Sequence, residues 1–282
     1  DLDANGGEWR NTLGALDAFA VDGKNYGVPW DMGAVTFWYN KDLFAQAGIE
    51  AVPTTWSEFL ADCEKLKAAG ITPISVGEGD KWPGMHIWAY LVSRIGGAEA
   101  FAKAADMTDA RSGSFEDEAF VQAGYELKKL VDGGYFQDGF LGATHDDMNA
   151  TFGNGKAAME LGGQWSPSVE AANSADGIGV ANMGMFNFPA VEGGAGLVTD
   201  IVGGGNGFAI GKDAEPEAID FVKYLTSLEN QKVIAADNTG IPVAKGAAVA
   251  LADENMVLVA DAVANSTYYQ LYFDQVLPSA MG

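Results

Sequence analysis

A capped helix that ends in glycine and passes directly into a short apolar strand is the feature that most restricts how this chain can fold. Thr55-Trp56-Ser57-Glu58 has the pattern of a capping box, in which a hydroxyl and a carboxylate three residues apart satisfy free N–H groups at a helix start. Trp56, Phe59, Leu60, Cys63 and Leu66 then recur at helical spacing until Gly70 stops the run, and Ile71 to Val76 reads as a buried strand. The order returns where Phe120, Gly124, Leu127 and Val131 share a helical face before Gly133 and Gly134, with a strand from Ala157 to Leu161 ahead of Gly162 and Gly163. A third helix carries Ala218, Phe221, Val222, Leu225 and Leu228. Helices alternating with strands imply an α/β fold with mostly parallel or mixed sheets.

At 282 residues the chain exceeds the usual size of one compact domain, so two lobes or one large α/β unit is expected. It is 48% hydrophobic and 20% charged, with no run of eighteen apolar residues, which describes a water-soluble globular protein without a transmembrane segment. A net charge of -23 would repel nucleic acid and anionic membrane surfaces. The 37 glycines imply many tight turns around a folded body. Cys63 is the only cysteine, reads as a small core residue and rules out an intrachain disulfide. The opening residues lack an initiator Met, a basic stretch and an apolar signal core, so the chain reads as processed or truncated.

Motifs for chemistry mostly fail. Gly203, Gly204, Gly205 and Gly207 suggest a dinucleotide loop, but the third required glycine falls on Phe208; Val202 to Ile210 reads instead as a glycine-rich turn entering a strand. Asp1, Asp3, Asn5 and Gly6 begin like a calcium loop, yet Thr12 stands where a bidentate Glu is needed. Gly153-Asn154-Gly155-Lys156 lacks the spacing and the Ser or Thr of a nucleotide P-loop. His86 and His145 are the only histidines, which excludes a His-rich metal site; each is expected to be satisfied or on the surface. No cofactor is implied. Among 39 acidic residues a pair of carboxylates could stand at the spacing glycoside hydrolysis requires, so a glycoside hydrolase remains the alternative.

The positive signal is aromatic. Several of the seven tryptophans sit beside glycine or proline in expected loops: Val28-Pro29-Trp30, Lys81-Trp82-Pro83-Gly84 and Gly162-Gly163-Gln164-Trp165. A Trp held on such a loop presents a flat face suited to stacking on a sugar ring.

The stretch Tyr26-Gly-Val-Pro-Trp-Asp-Met-Gly-Ala-Val-Thr-Phe-Trp-Tyr-Asn-Lys-Asp-Leu-Phe44, followed by Pro53-Thr-Thr-Trp56 and Phe59, resembles the family 1 extracellular solute-binding proteins of bacterial carbohydrate ABC transporters. Phe152-Gly-Asn-Gly-Lys-Ala-Ala-Met159 leading to Gly163-Gln-Trp165, Gly203 to Gly211, Phe221 to Thr226 and Tyr268 to Gln275 extend the resemblance over nearly the whole chain. It implies a periplasmic-binding-protein-like, class II, two-lobed α/β clamp that closes on an oligosaccharide by a hinge. Residues 1–33 and 199–240 would form one lobe, 35–197 and 245–282 the other, with crossings near 28–34, 198–205 and 240–244. Members of the family carry more chain before the Tyr-Gly-Val-Pro segment and after the position of Gly282, so the first lobe is expected to be incomplete here.

The same resemblance names site residues. Trp165 is the first choice for stacking on the sugar and Trp82 the second. Tyr272 and Phe273 would flank it, Asp274 would accept hydrogen bonds from hydroxyls and Gln275 would assist. From the crossings come Trp30, Asp31, Gly204, Gly205 and Asn206, and from the segment after Tyr90 comes Arg94, whose other reading is an ion-paired or surface arginine. The implied protein is an extracytoplasmic, non-catalytic monomer, whose partners are a neutral oligosaccharide and the permease subunits of an ABC transporter.

Overall fold

The computed structural model describes residues 8–105, 113–174, 182–238 and 240–277. The calcium-loop pattern at Asp1 to Gly6 lies outside them. Two four-stranded sheets organise the molecule.

The first sheet has the order Thr72–Ser75, Ala157–Gly162, Thr36–Asn40, Met183–Phe186. Thr36–Asn40 runs antiparallel to both neighbours, with Phe37 opposite Leu161 and Phe186, while Thr72–Ser75 pairs parallel with Ala157–Gly162. Every residue of Ala157–Gly162 is buried, as befits a strand covered on both faces. Helices Trp56–Ala68, Trp82–Gly96, Glu118–Asp132 and His145–Gly153 belong to this half. The Thr55 capping box forms as the sequence predicts, and Thr144 with Asp147 makes a second one. The core is strongly aromatic: Phe37 packs on Phe59 at 4.8 Å, and Tyr90 and Phe188 stack at 4.8 Å and 4°. Cys63 is fully buried within it.

In the second sheet Ile241–Pro242, Asp31–Ala34, Ile201–Gly204 and Tyr269–Leu271 lie side by side. The three segments expected to cross between lobes are therefore hydrogen-bonded neighbours. Glycine is required there by close approach: a Cβ on Gly203 would overlap the Gly33 carbonyl oxygen, and one on Gly205 that of Asp31.

A separate, smaller core gathers Trp9, Leu13, Val28, Val222, Val243, Ala244 and Ala247. The helix expected through Ala218 to Leu228 is two helices, Pro216–Leu225 and Leu228–Ala236. Ser227 divides them, its hydroxyl accepting from the Asn230 backbone N–H and starting the second helix. Phe221 and Leu228 are accordingly exposed rather than in register on one buried face. In Glu118–Asp132 the buried positions are Phe120, Ala123 and Leu130, and Val131 faces outward, a rotation of the expected face. Among the described residues no helix is long and apolar enough to cross a membrane.

Candidate functional site

Three chain segments, joined by Phe115 from a fourth, converge on one cavity of about 810 Å³. The first is the start of helix Trp82–Gly96. Trp82-Pro83-Gly84 is the first turn of a helix and not a loop: Pro83 needs no N–H partner there, and Lys81 enters it at a φ of 69°. Helical spacing then places Trp82, Met85 and His86 on one face, and all three line the cavity.

The second segment is the turn that leaves strand Ala157–Gly162. Trp165 precedes helix Ser166–Asn173, and its ring folds back over Gly163, where any Cβ would overlap it. Trp165 and Trp82 meet edge to face, with centroids 6.3 Å apart and planes at 72°. The third segment follows strand Tyr269–Leu271. Tyr272 lies parallel to His86 at 5.2 Å and 7°, seated against Gly204, which has no room for a side chain. Trp88, Phe115 and Leu277 add apolar surface, while Asp80, Lys81 and Asp274 supply charge.

The inner wall is uncharged at neutral pH. Burial, and secondarily the neighbouring His145, lowers the His86 pKa to about 4. Burial also raises that of Tyr272 well above the ordinary phenol value. This arrangement offers ring faces for stacking, with carboxylate and imidazole groups for hydroxyls, and so suits a polar, ring-shaped, neutral ligand.

Of the residues expected at the site, the structure brings Trp82, Trp165, Tyr272, Phe273 and Asp274 together. Phe273 contributes little, because its ring is 4% exposed and stacked on Phe101 in the core. Trp30, Asp31, Gly204, Gly205, Asn206 and Gln275 form a different cluster at the second sheet. The Asp31 carboxylate accepts from the Asn206 backbone N–H at 2.8 Å and from its side-chain amide at 3.1 Å. Burial nonetheless raises the Asp31 pKa, against the lowering effect of those bonds. Trp30 packs edge-on against Phe208 at 5.3 Å, and Gln275 donates to the Gly205 carbonyl at 3.4 Å.

Arg94 is corrected outright. It is fully buried, and its guanidinium donates to the carbonyls of Phe188 (2.8 Å), Pro189 (3.2 Å), Asp200 (3.0 Å) and Val198 (3.3 Å). It faces no cleft, and its surface or carboxylate-paired reading fails as well: it ties loop carbonyls together. The expectation for His86 is also overturned. It is 5% exposed, neither on the surface nor hydrogen-bonded to any described residue, and its Nδ1 is sealed without a partner. His145 is half-buried beside Trp82 at 4.6 Å, with Nδ1 3.3 Å from the Asn149 amide. Met85 and His86 were recoverable from the sequence by counting three and four from Trp82, had Trp82 been read as a helix start. Lys81, Trp88, Phe115 and Leu277 carried no such signal.

Residues 2–232 match the sequence profile described as bacterial extracellular solute-binding protein. The chain belongs to that family. It is 32% identical over 234 residues to the multiple sugar-binding protein of Streptococcus mutans serotype c, covering 80% of this chain and 53% of that protein. A solved chitin oligosaccharide binding protein superposes with a TM-score of 0.86 at 32% identity, over 99% of this chain and 70% of the other. A structure from work on xylan utilization by the thermophilic bacterium Caldanaerobius polysaccharolyticus gives 0.87 at 30% identity, over 98% and 71%. The fold is thus that of class II periplasmic binding proteins, as the sequence implies. The chain spans about half the length of the S. mutans relative. The family, the S. mutans relative and the chitin oligosaccharide structure are described as binding proteins, and they lend the hydrolase alternative no support.

Proposed function

We propose that this chain is the ligand-capturing part of an extracytoplasmic receptor that binds a neutral oligosaccharide reversibly and delivers it to the permease of an ABC transporter. The observation that carries the reading is the pair Trp82 and Trp165, set at 72° across one corner of an 810 Å³ cavity with Asp274 in its lining. Two ring faces at a steep angle fit successive sugar units, and a carboxylate orients hydroxyls by charge-assisted hydrogen bonds. The multiple sugar-binding protein and the chitin oligosaccharide binding protein, each 32% identical, support it. In this reading Trp165, Trp82, Tyr272 and Asp274 hold the ligand.

Asp31 instead lies on one of the strands on which closure turns, with Asn206 just after strand Ile201–Gly204 and Gln275 in the short helix Phe273–Val276 beside it. The lobes are proposed as 1–33 with 199–240 and 35–197 with the C-terminal stretch, working as a monomer. Ala247 packs in the smaller core, and residues 248–250 lie against helix Leu228–Ala236, which moves the start of that last stretch from 245 to about 251.

No bond is made or broken. Glu160 and Glu170 are buried facing carboxyls resembling an acid dyad, but both are fully sealed and absent from the cavity lining. Calorimetric titration with neutral di- to tetrasaccharides, with product analysis afterwards, tests the reading. Saturable binding of intact sugar at micromolar Kd or tighter, about -8 kcal/mol or better, is expected; cleavage of the sugar, or silence across the panel, would refute it.

A further inference from the structure

Helix Trp82–Gly96 places a histidine where an aromatic wall would be complete without one. His86 is held on both sides, by Tyr272 in parallel at 5.2 Å and by Trp82 at 5.2 Å and 54°, so the plane of its ring is fixed. It lines the cavity, is 5% exposed, and makes no hydrogen bond with any described residue. Nδ1 is sealed without a partner, which leaves Nε2 as the nitrogen available to the cavity. A polar atom at a cavity wall with no protein partner is free to pair with a ligand, and native interiors rarely leave such groups without a use. The nearby hydroxyl of Tyr272 is likewise buried and unpartnered.

We infer that His86 is a ligand-recognition residue, its Nε2 hydrogen-bonding a sugar hydroxyl at the inner end of the stacking site, with Tyr272 fixing the imidazole plane. This deepens the receptor reading and rests on it. The group recognised follows from the chemistry. A neutral imidazole has one donor and one acceptor nitrogen, and which of the two is Nε2 depends on the tautomer. A hydroxyl both donates and accepts, so it matches either tautomer, whereas a carboxylate matches only the donor form. Because burial keeps the pKa near 4, the imidazole stays neutral at physiological pH and offers an anionic sugar no countercharge.

His86→Phe keeps a planar ring against Tyr272 and Trp82 while removing both nitrogens, and His145→Phe, which leaves His86 as the only histidine, serves as a second variant should the first fail to fold. The probes are xylotriose, maltotriose, raffinose and triacetylchitotriose, titrated into the full chain. For the sugar that binds most tightly, His86→Phe is expected to raise Kd about five- to tenfold, the worth of one hydrogen bond, with an unchanged unfolding midpoint. Since the chain has only two histidines, nitrogen-15 histidine spectra give an independent readout. Saturation with that sugar should shift the imidazole signal that the variant loses. If the wild type binds a sugar but His86→Phe binds within twofold and the His86 signal stays in place, the assignment is overturned while the receptor reading stands. If His86→Phe fails to fold, the one signal left in His145→Phe is that of His86, and its failure to move with bound sugar leads to the same conclusion. If the wild type binds none of the four, the receptor reading falls and takes this inference with it.

Discussion

Trp82 and Trp165 touch edge to face at 6.3 Å, although one opens a helix and the other closes a turn from the central strand of the first sheet. Both are only half-buried, so each keeps ring surface for a ligand. Trp165→Ala should weaken sugar binding by about 2 kcal/mol, roughly thirtyfold in Kd, as for an aromatic hot spot. Trp82→Ala should act similarly, and the double variant should lose less than the sum, because each ring also positions the other. Calorimetry on the three variants checks this; strictly additive losses would mean that the two rings bind independently.

Gly204 is among the residues expected at the sugar, and the structure gives it another task. A Cβ at this position would run into the Tyr272 ring and lie 2.7 Å from the Gln275 side-chain oxygen. Gly204→Ala should therefore displace Tyr272 from its stack on His86. The expected result is about a tenfold rise in sugar Kd with a stability loss of about 1–3 kcal/mol, the range for overpacking. A variant that loses stability with intact affinity would show that Tyr272 tolerates the shift.

How much of this was legible in the sequence depended on whether the signal was local. The Thr55 cap and the Gly163–Trp165 turn are short-range patterns, and both form as read. Helix Glu118–Asp132 was found but its buried face was misjudged, because Val131 at helical spacing looks apolar while the neighbouring Leu130 is the one that meets the core. Arg94 was misassigned for a non-local reason: nothing near it in the chain reveals that carbonyls from residues 188–200 converge on its guanidinium. His86 is hidden in the sequence because Trp-Pro-Gly reads as a loop, which conceals the helical phase linking it to Trp82.

The role of Arg94 can be measured. Arg94→Met keeps an apolar stem in the core but leaves the carbonyls of Phe188, Pro189, Val198 and Asp200 short of a donor. Losing the donor to several buried acceptors should cost about 3–5 kcal/mol of folding stability, read from urea unfolding. Sugar affinity of the folded fraction should be unchanged, since Arg94 does not line the cavity. A selective loss of affinity at full stability would return Arg94 to the binding site.

Behind the Trp165 turn, Glu160 within strand Ala157–Gly162 and Glu170 on the following helix face each other and Ser166 with no exposure, yet none of their four oxygens has a hydrogen bond of good geometry. Burial raises the pKa of both, and the charge of Glu160 raises Glu170 further. The folded chain therefore holds protons that the unfolded chain releases above about pH 4.5. Stability from the pair is complete below that pH and is lost as pH rises through the folded values. His86 has the opposite sign: its lowered pKa gives stability present above pH 6.5 and lost as pH falls toward 4. The window from pH 6.5 to 8.5 thus isolates the carboxyls from the histidine. Over it the wild type should lose about 2 kcal/mol relative to Glu170→Gln, whose neutral amide has no proton to give up. Comparing the two proteins cancels the general repulsion of a chain carrying a net charge of -23. Parallel stability curves for the two proteins would mean that the pair does not hold a proton into this range.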